Sequence, residues 1–329
     1  MGRPRFDISS DNSDNCDESG CGDAYGNSLS RNTANRGSRP LKLVPGLGLI
    51  ATSIRTLAPV RLYRPSTCEQ VARILANETD HPTLVAGGTD LCAQFNDGLA
   101  PRSLVSLDRV GSLQRIERLN DEIRIGSAVS HAAGRADPLI NRHLDGFARA
   151  WGAIANVRVR FRATIGGNLM ALRPRYEMSA LLDALSAKLC FRTGDRVTPL
   201  TPGDLWNSKT PARSLLQYVS IPVGDDFVGF RYDRSLRPVM TLAVCMRRSD
   251  GVLSLRVAIA TEMLPPIALI LPSSPSPKDL NAMDYASAVA AVLPEYYADP
   301  NASNWYLRRV TASLLHRQLK DLSQCLTMH

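Results

Sequence analysis

The 329-residue sequence contains no Cys-x-x-Cys pair. Its seven cysteines, at 16, 21, 68, 92, 190, 245 and 325, are odd in number and show no paired spacing. A secreted disulfide framework, a structural zinc and an iron–sulfur cluster held by this chain alone are therefore not expected. None of the five histidines stands at ligand spacing from another histidine or a cysteine, so no metal centre is expected either. No run of about 18 apolar residues occurs, which argues against a membrane span. Lysine is scarce: of 39 basic residues only Lys42, Lys188, Lys209, Lys278 and Lys320 are lysines. The arginines are spread along the chain, so the net charge of +8 reads as a matter of solubility, and nucleic acid is not an expected partner. What is present is apolar material, 44% of residues, enough for a sizeable core and for about two domains at this length. The chain reads as cytoplasmic and metal-free.

Residues 1–38 form a compositional zone of their own. Ser, Asn, Asp and Gly make up 22 of the 38, and large apolar residues are nearly absent. Such a segment buries too little surface to offset its ordering entropy, and disorder is expected over 1–58. With Asp7, Asp11, Asp14, Asp17 and Glu18 and no apolar run after the basic start, a secretory signal is not expected. Gly46, Gly48 and Ala51 match G-x-G-x-x-A, but they follow a proline and a polar tail instead of a buried strand, so a dinucleotide fingerprint is not expected there. Regular structure is expected from about Val60. Ser66 and Glu69 form a capping-box pair before the stripe Val71, Ile74, Leu75. Short strands are expected at 83–86 and 104–107, and a hairpin over 116–128 around Asn120 and Asp121. Helices are expected over 138–155 and 177–186. Further on, a strand over 215–222 and a hairpin over 240–260 turning at Ser249-Asp250-Gly251 precede a proline-rich loop at 265–277. Helices over 279–293 and 302–324 close the chain. The last carries Leu307, Val310, Leu314 and Leu315 on one face, with Arg308, Arg309, Arg317 and Lys320 around them. The class is α+β.

Two glycine pairs carry the chemistry: Ala86-Gly87-Gly88-Thr89-Asp90 and Thr164-Ile165-Gly166-Gly167-Asn168. Glycine lets a backbone turn with positive φ and approach a ligand with no Cβ between them. Successive N–H groups in such turns form nests for phosphate oxygens, and the Thr89 and Thr164 hydroxyls can assist. Two facing nests suit a diphosphate. Neither loop fits G-x-x-x-x-G-K-[ST]. His131, after Ser130 at a helix start, reads as a capping or packing residue. Cys92 reads as a small buried hydrophobe, and Trp151, Trp206 and Trp305 as core or lid residues. No catalytic triad or carboxylate pair can be assembled.

The two loops and their surroundings resemble the FAD-binding (medium) subunit of the molybdenum hydroxylases, the xanthine dehydrogenase and aerobic carbon monoxide dehydrogenase type. The matching stretches come in the family's order: RLYRPSTCEQVARILA at 61–76, LVAGGTDL at 84–91, LVSLDRVGSLQRI at 104–116, IRIGSAVSHAAGRADPLI at 123–140, VRFRATIGGNL at 159–169 and ASNWYLRRVTASLLHRQL at 302–319. The resemblance implies a two-lobed FAD-binding domain over 59–222 followed by a small α+β C-terminal domain over 223–329. It places Leu84, Val85, Ala86, Gly87, Gly88, Thr89, Asp90 and Leu91, with Thr164, Ile165, Gly166, Gly167 and Asn168, at FAD, the two glycine loops wrapping its diphosphate. Glu177 stands where the family has an Asp that contacts FAD, and Ile154 where a side chain lies near the flavin ring.

The sequence also departs from the family. Between Asn168 and Glu177, relatives are small and acidic, whereas this chain has Arg173, Arg175 and Tyr176. These side chains either clasp an anion, as guanidinium does well, or fill the pocket. Near 230 the family has an aromatic, a Lys close to the flavin and an Arg. Here Phe230-Arg231-Tyr232-Asp233-Arg234 is one residue longer, and Arg231 or Tyr232 takes the lysine's place, Arg231 being the one able to stabilise an anionic reduced flavin. The implied function is electron transfer: a partner iron–sulfur small subunit with two [2Fe–2S] clusters feeds FAD, a molybdenum-cofactor large subunit hydroxylates the substrate, and NAD+, a quinone or oxygen accepts the electrons. The alternatives are a chain that has lost FAD and acts as a scaffold, or a stand-alone flavin reductase or oxidase.

Overall fold

The structure is a computed structural model that describes residues 60–235, 239–274 and 302–326. The chain divides into two units, Met1–Thr56 and Leu57–His329, and the described residues all belong to the second. The expected disorder over 1–58, the 46–51 motif and the helix expected over 279–293 lie outside the described residues.

The first layer is a small parallel sheet made of β1 (Arg61–Tyr63), β2 (Thr83–Val85) and β3 (Ser103–Ser106), in the order β1-β3-β2. Parallel neighbours require crossovers, and the helices α1 (Cys68–Asn77) and α2 (Thr89–Asn96) supply them. Helix α1 buries Cys68, Val71, Ala72 and Leu75, and Val71 and Leu75 join a core with Val105, Leu113 and Leu215. Its cap is displaced by one residue from the expected box. Thr67 has the extended backbone an N-cap needs and accepts from Gln70 N, while Gln70 Oε1 accepts from Ser66 N at 2.8 Å.

The second layer is an antiparallel five-stranded sheet of β4 (Ile116–Leu119), β5 (Glu122–Gly126), β6 (Lys188–Thr193), β7 (Arg196–Leu200) and β8 (Leu215–Pro222), in the order β4-β5-β8-β6-β7. The β4–β5 hairpin turns where expected, with Asn120 at φ 52°. A helical insert runs between β5 and β6: α3 (His131–Ala136), α4 (Pro138–His143), α5 (Asp145–Ala153), α6 (Val157–Arg162), α7 (Ile165–Met170) and α8 (Met178–Ala184). The helix expected over 138–155 is thus two. Asp137 caps α4 at Leu139 N and Ile140 N, and the chain breaks at Leu144, whose φ −140° and ψ 46° are not helical. The break keeps Ile140 and Leu144 buried while α5 sends Phe147 and Trp151 into the same core. Helix α9 (Pro202–Trp206) connects β7 to β8.

The third layer is the antiparallel sheet β12-β11-β10-β9, from β9 (Phe227–Arg234), β10 (Met240–Ser249), β11 (Val252–Thr261) and β12 (Ile267–Ser274). The β10–β11 turn uses Asp250 (φ 51°) and Gly251 (φ 76°), the left-handed pair of a tight hairpin. Strand β12 occupies part of the expected 265–277 loop. It is an edge strand, where a proline costs no ladder bond. Strand alternation gives this sheet two different buried faces. Leu242, Val244 and Met246 join Leu307, Leu315 and Leu319 of the final helix α10 (Asn304–Leu326), whereas Ala243, Cys245, Ala258 and Ala260 face the core that includes α8. Those small residues let α8 lie close, and every residue of α8 is buried. Arg256 of β11 fastens it, donating to Asp183 O and Oδ1 at 2.6 Å each. Among the described residues, no helix is long and apolar enough to cross a membrane.

Phe147 links helices to sheet, with its ring 5.2 Å from that of Trp151 and 6.1 Å from that of Phe230, all three fully buried. Phe147→Ala is expected to lower the unfolding free energy by about 3–5 kcal/mol, read as a shifted denaturant midpoint with an unchanged slope.

Candidate functional site

A cavity of about 630 Å³ is lined by both glycine loops, by α6 and α7, by the start of α8 and by the ends of β9, β10 and β11. Its size falls within the range of about 300–1,000 Å³ usual for cofactor clefts. Of the residues expected at a cofactor, all of 84–91 line it, as do Ile154, Thr164, Gly167, Asn168 and Glu177. Ile165, Gly166 and Arg231 do not.

The glycines within each pair differ in what they do. Gly87 lies against the chain entering the second loop, where a Cβ would sit 1.8 Å from Arg162 O. Gly166 lies against Ser127, where a Cβ would be 2.7 Å from that residue's Cβ and carbonyl oxygen. These two permit chain-to-chain approach. Gly88 is the N-cap of α2, has φ +74°, and a Cβ there would meet nothing within 4 Å. At Gly167 a Cβ would contact only Thr164 Oγ1, at 3.1 Å. Only Gly88 adopts the positive φ anticipated for both pairs. Thr164 caps α7, its hydroxyl oxygen accepting from Gly167 N at 3.1 Å. Ile165 is core, fully buried, with its N–H donating to Val129 O.

Asp90 lines the cavity, but its carboxylate is engaged from three sides. Arg173 Nε donates at 2.6 Å, Gln94 Nε2 at 2.6 Å and Tyr176 OH at 3.0 Å. Burial would raise its pKa, and these hydrogen bonds with the Arg173 charge outweigh that and hold it below the usual carboxylate range. Arg173 is thereby drawn off the cavity lining, while Arg175 and Tyr176 remain on it.

At the other end, Glu177 precedes α8 and is nearly buried. Its Oε1 accepts from Tyr232 OH at 2.8 Å and Thr241 Oγ1 at 3.0 Å, with Arg234 Nη1 3.7 Å away. Burial, then the Glu177 carboxylate, pushes the Tyr232 phenol far up, so it stays a neutral donor. Among the described residues the cations on the cavity lining are Arg175 and Arg234, and Arg231 is not on it. Side chains alternate along β9: Phe230, Tyr232 and Arg234 face the core and cavity, while Asp233 on the other face pairs with Arg317 of α10. Arg231, in phase with Asp233, directs one guanidinium nitrogen to Phe230 O at 3.0 Å.

His131 also lines the cavity. It opens α3, is fully buried, and its Nδ1 accepts from Trp151 Nε1 at 2.7 Å. Burial, helped by the Arg160 charge, lowers its pKa from 6.5 to about 4. Sequence reasoning set this residue aside. Its place depends on Ser130 bridging Thr164 and on His131 N donating to Ala163 O, pairings between distant stretches that no local pattern announces. Cys92, expected to be buried, is exposed, because α2 has no fully buried residue. The cavity accommodates a flavin dinucleotide in chemical kind as well as in size: there is open space above Gly88, and His131 Nε2 and Asn168 Oδ1 are buried without hydrogen-bond partners among the described residues.

Residues 58–224 match the family described as FAD binding domain in molybdopterin dehydrogenase. The chain is 27% identical over 190 residues to the caffeine dehydrogenase subunit beta of Pseudomonas sp. (strain CBB1), covering 55% of this chain and 64% of that one. It is 24% identical over 217 residues to the carbon monoxide dehydrogenase medium chain of Hydrogenophaga pseudoflava, covering 63% and 75%. The first three curated relatives it matches are spanned over 64, 46 and 40% of their length. The fold is shared with a chain of quinoline 2-oxidoreductase from Pseudomonas putida 86, at a TM-score of 0.68 and 20% identity, covering 82% of this chain and 98% of that one.

The depressed pKa of His131 has a measurable consequence. Below pH 6.5 the unfolded chain binds a proton there that the folded chain refuses until about pH 4. Stability should fall as pH drops through that window, by on the order of 3 kcal/mol in all from this group. His131→Gln is expected to flatten that part of the unfolding free-energy profile between pH 7 and pH 4.

Proposed function

The chain belongs to the family of FAD binding domains in molybdopterin dehydrogenases, and from that premise we propose that it is the flavin-carrying electron-transfer subunit of a molybdenum hydroxylase complex. The observation that carries the reading is the meeting of the two glycine loops across one cavity. FAD, when bound, exchanges electrons singly or in pairs, so it can join one-electron carriers to a two-electron acceptor. The backbone around Gly88 and the first turn of α2 would hold one part of the diphosphate, and Thr164, Gly167 and Asn168 the other. Ile154 offers an apolar wall to the ring. Glu177, fixed through Oε1 by Tyr232 and Thr241, would hold the cofactor from the far end of the cavity, and Arg234 would supply the nearby positive charge. Partner chains complete the path: a small subunit with two [2Fe–2S] clusters delivers electrons, a molybdenum-cofactor subunit hydroxylates the substrate, and NAD+, a quinone or oxygen takes the electrons onward.

The names of the relatives support this assembly, since they are a subunit beta and a medium chain of dehydrogenases. The scaffold reading rested on Arg173 and Arg175 and on the altered 230–237 stretch. One of these supports weakens, because Arg173 turns to Asp90 and the cavity stays open.

Acid release from the purified chain is expected to yield FAD, and the intact protein to show the two visible bands of bound flavin. Gly88→Val places a branched side chain at φ +74° and into the cavity. FAD affinity is expected to fall at least tenfold while the far-UV circular dichroism is retained. A colourless wild-type chain that takes up no added FAD would contradict the proposal.

A further inference from the structure

The hydrogen-bonding of His131 defines one tautomer and leaves one donor over. Trp151 Nε1–H donates to Nδ1 at 2.7 Å, so the neutral ring carries its proton on Nε2. Trp151 is itself fully buried and wedged against Gly134 of α3, where a Cβ would lie 2.0 Å from the indole. The ring planes of His131 and Trp151 stand at 78°. The backbone is fixed as firmly: His131 N donates to Ala163 O at 2.9 Å, and the neighbouring Ser130 caps α3 and bridges Thr164. Yet Nε2, buried in a residue that lines the cavity, has no partner among the described residues. A buried N–H without an acceptor is costly and uncommon in a native fold. A donor held this rigidly, in a ring kept neutral at physiological pH, is what a binding site for an uncharged acceptor requires.

The surroundings indicate which part of a ligand it meets. The elements beside His131 contribute Ile154, Ala155, Val159 and Ala163 to the lining, an apolar wall. The guanidinium of Arg160 is occupied by the carbonyls of Ile154 and Ala155, at 3.0 and 2.6 Å. We propose that His131 is a further cofactor-binding residue, whose Nε2–H donates to a neutral acceptor on the ribityl or ring portion of FAD, with Trp151 as the positioning residue that fixes the tautomer. This rests on the FAD reading above and adds a contact to it.

The test uses the full chain with FAD as the probe. In the 15N-histidine-labelled protein at pH 7.5, His131 should show the Nε2–H tautomer both before and after FAD is added. Its Nε2 and attached-proton resonances, assigned with His131→Gln, should shift on saturation. His131→Leu should weaken FAD binding by about 3- to 10-fold, the range for one neutral hydrogen bond, and His131→Gln, which keeps a donor, should recover part of that loss. Trp151→Phe should yield a mixture of both ring tautomers and a smaller loss of affinity. Were His131→Leu not to fold, the wild-type shift and the Trp151→Phe spectrum would decide the matter. A wild-type chain that binds FAD with its His131 resonances unmoved would overturn this inference and leave the flavin function standing. A chain that takes up no FAD would overturn both.

Discussion

The site depends on an approach between two stretches of backbone that only glycine allows. At Gly87 the first loop rests on Arg162 and Ala163, so close that a single added carbon would sit 1.8 Å from a carbonyl oxygen. The next residues in that second stretch are Thr164 and the start of α7. The contact therefore sets the two loops face to face, and the cavity is the space left between them. Gly166 repeats the arrangement against Ser127, which ties the second loop to the end of β5. Ligand-facing freedom falls to the second glycine of each pair. In this fold each Gly-Gly dipeptide divides its work: the first glycine packs against neighbouring backbone, and the second faces the cavity.

The remaining wall comes from the seating of α8. Small residues on one face of the third sheet admit the helix, Arg256 clamps it at Asp183, and Glu177 consequently emerges beside Tyr232, Thr241 and Arg234. The larger residues of β10 on the opposite face are covered by α10. The sheet is buried on both sides, and only its strand ends contribute to the cavity. Both carboxylates inside the cavity region that the sequence singled out have protein partners, Asp90 with Arg173 and Glu177 with Arg234. Neither faces a ligand diphosphate as an uncompensated negative charge.

Where local pattern and local structure coincide, the sequence was readable. The 116–126 and 240–261 hairpins have strong turn residues between alternating strands, and the strand Leu215–Pro222 has the bounds expected of it. That the run 84–91 belongs to a cavity wall was legible through its resemblance to a family, and through glycine chemistry. Strands β6, β7 and β9 went unannounced because their stability comes from pairing with distant strands, which leaves little trace in their own composition. The break at Leu144 was hidden because apolar residues stay in helical phase across it. The choice between Arg231 and Tyr232 stayed open because an insertion obscured the register, and only the pairing of β9 with β10 fixes which face each residue takes. His131 was passed over for a related reason. Its role depends on one tryptophan 20 residues away and on a bridge to Thr164, both tertiary facts.

The most direct trial of the account is a crystal structure of the chain grown with FAD. The account predicts the diphosphate between the backbones of Gly88 and Gly167, with Arg173 still on Asp90 and the flavin against Ile154. FAD bound elsewhere, or a cavity closed by the 173–176 segment while FAD is in excess, would contradict it.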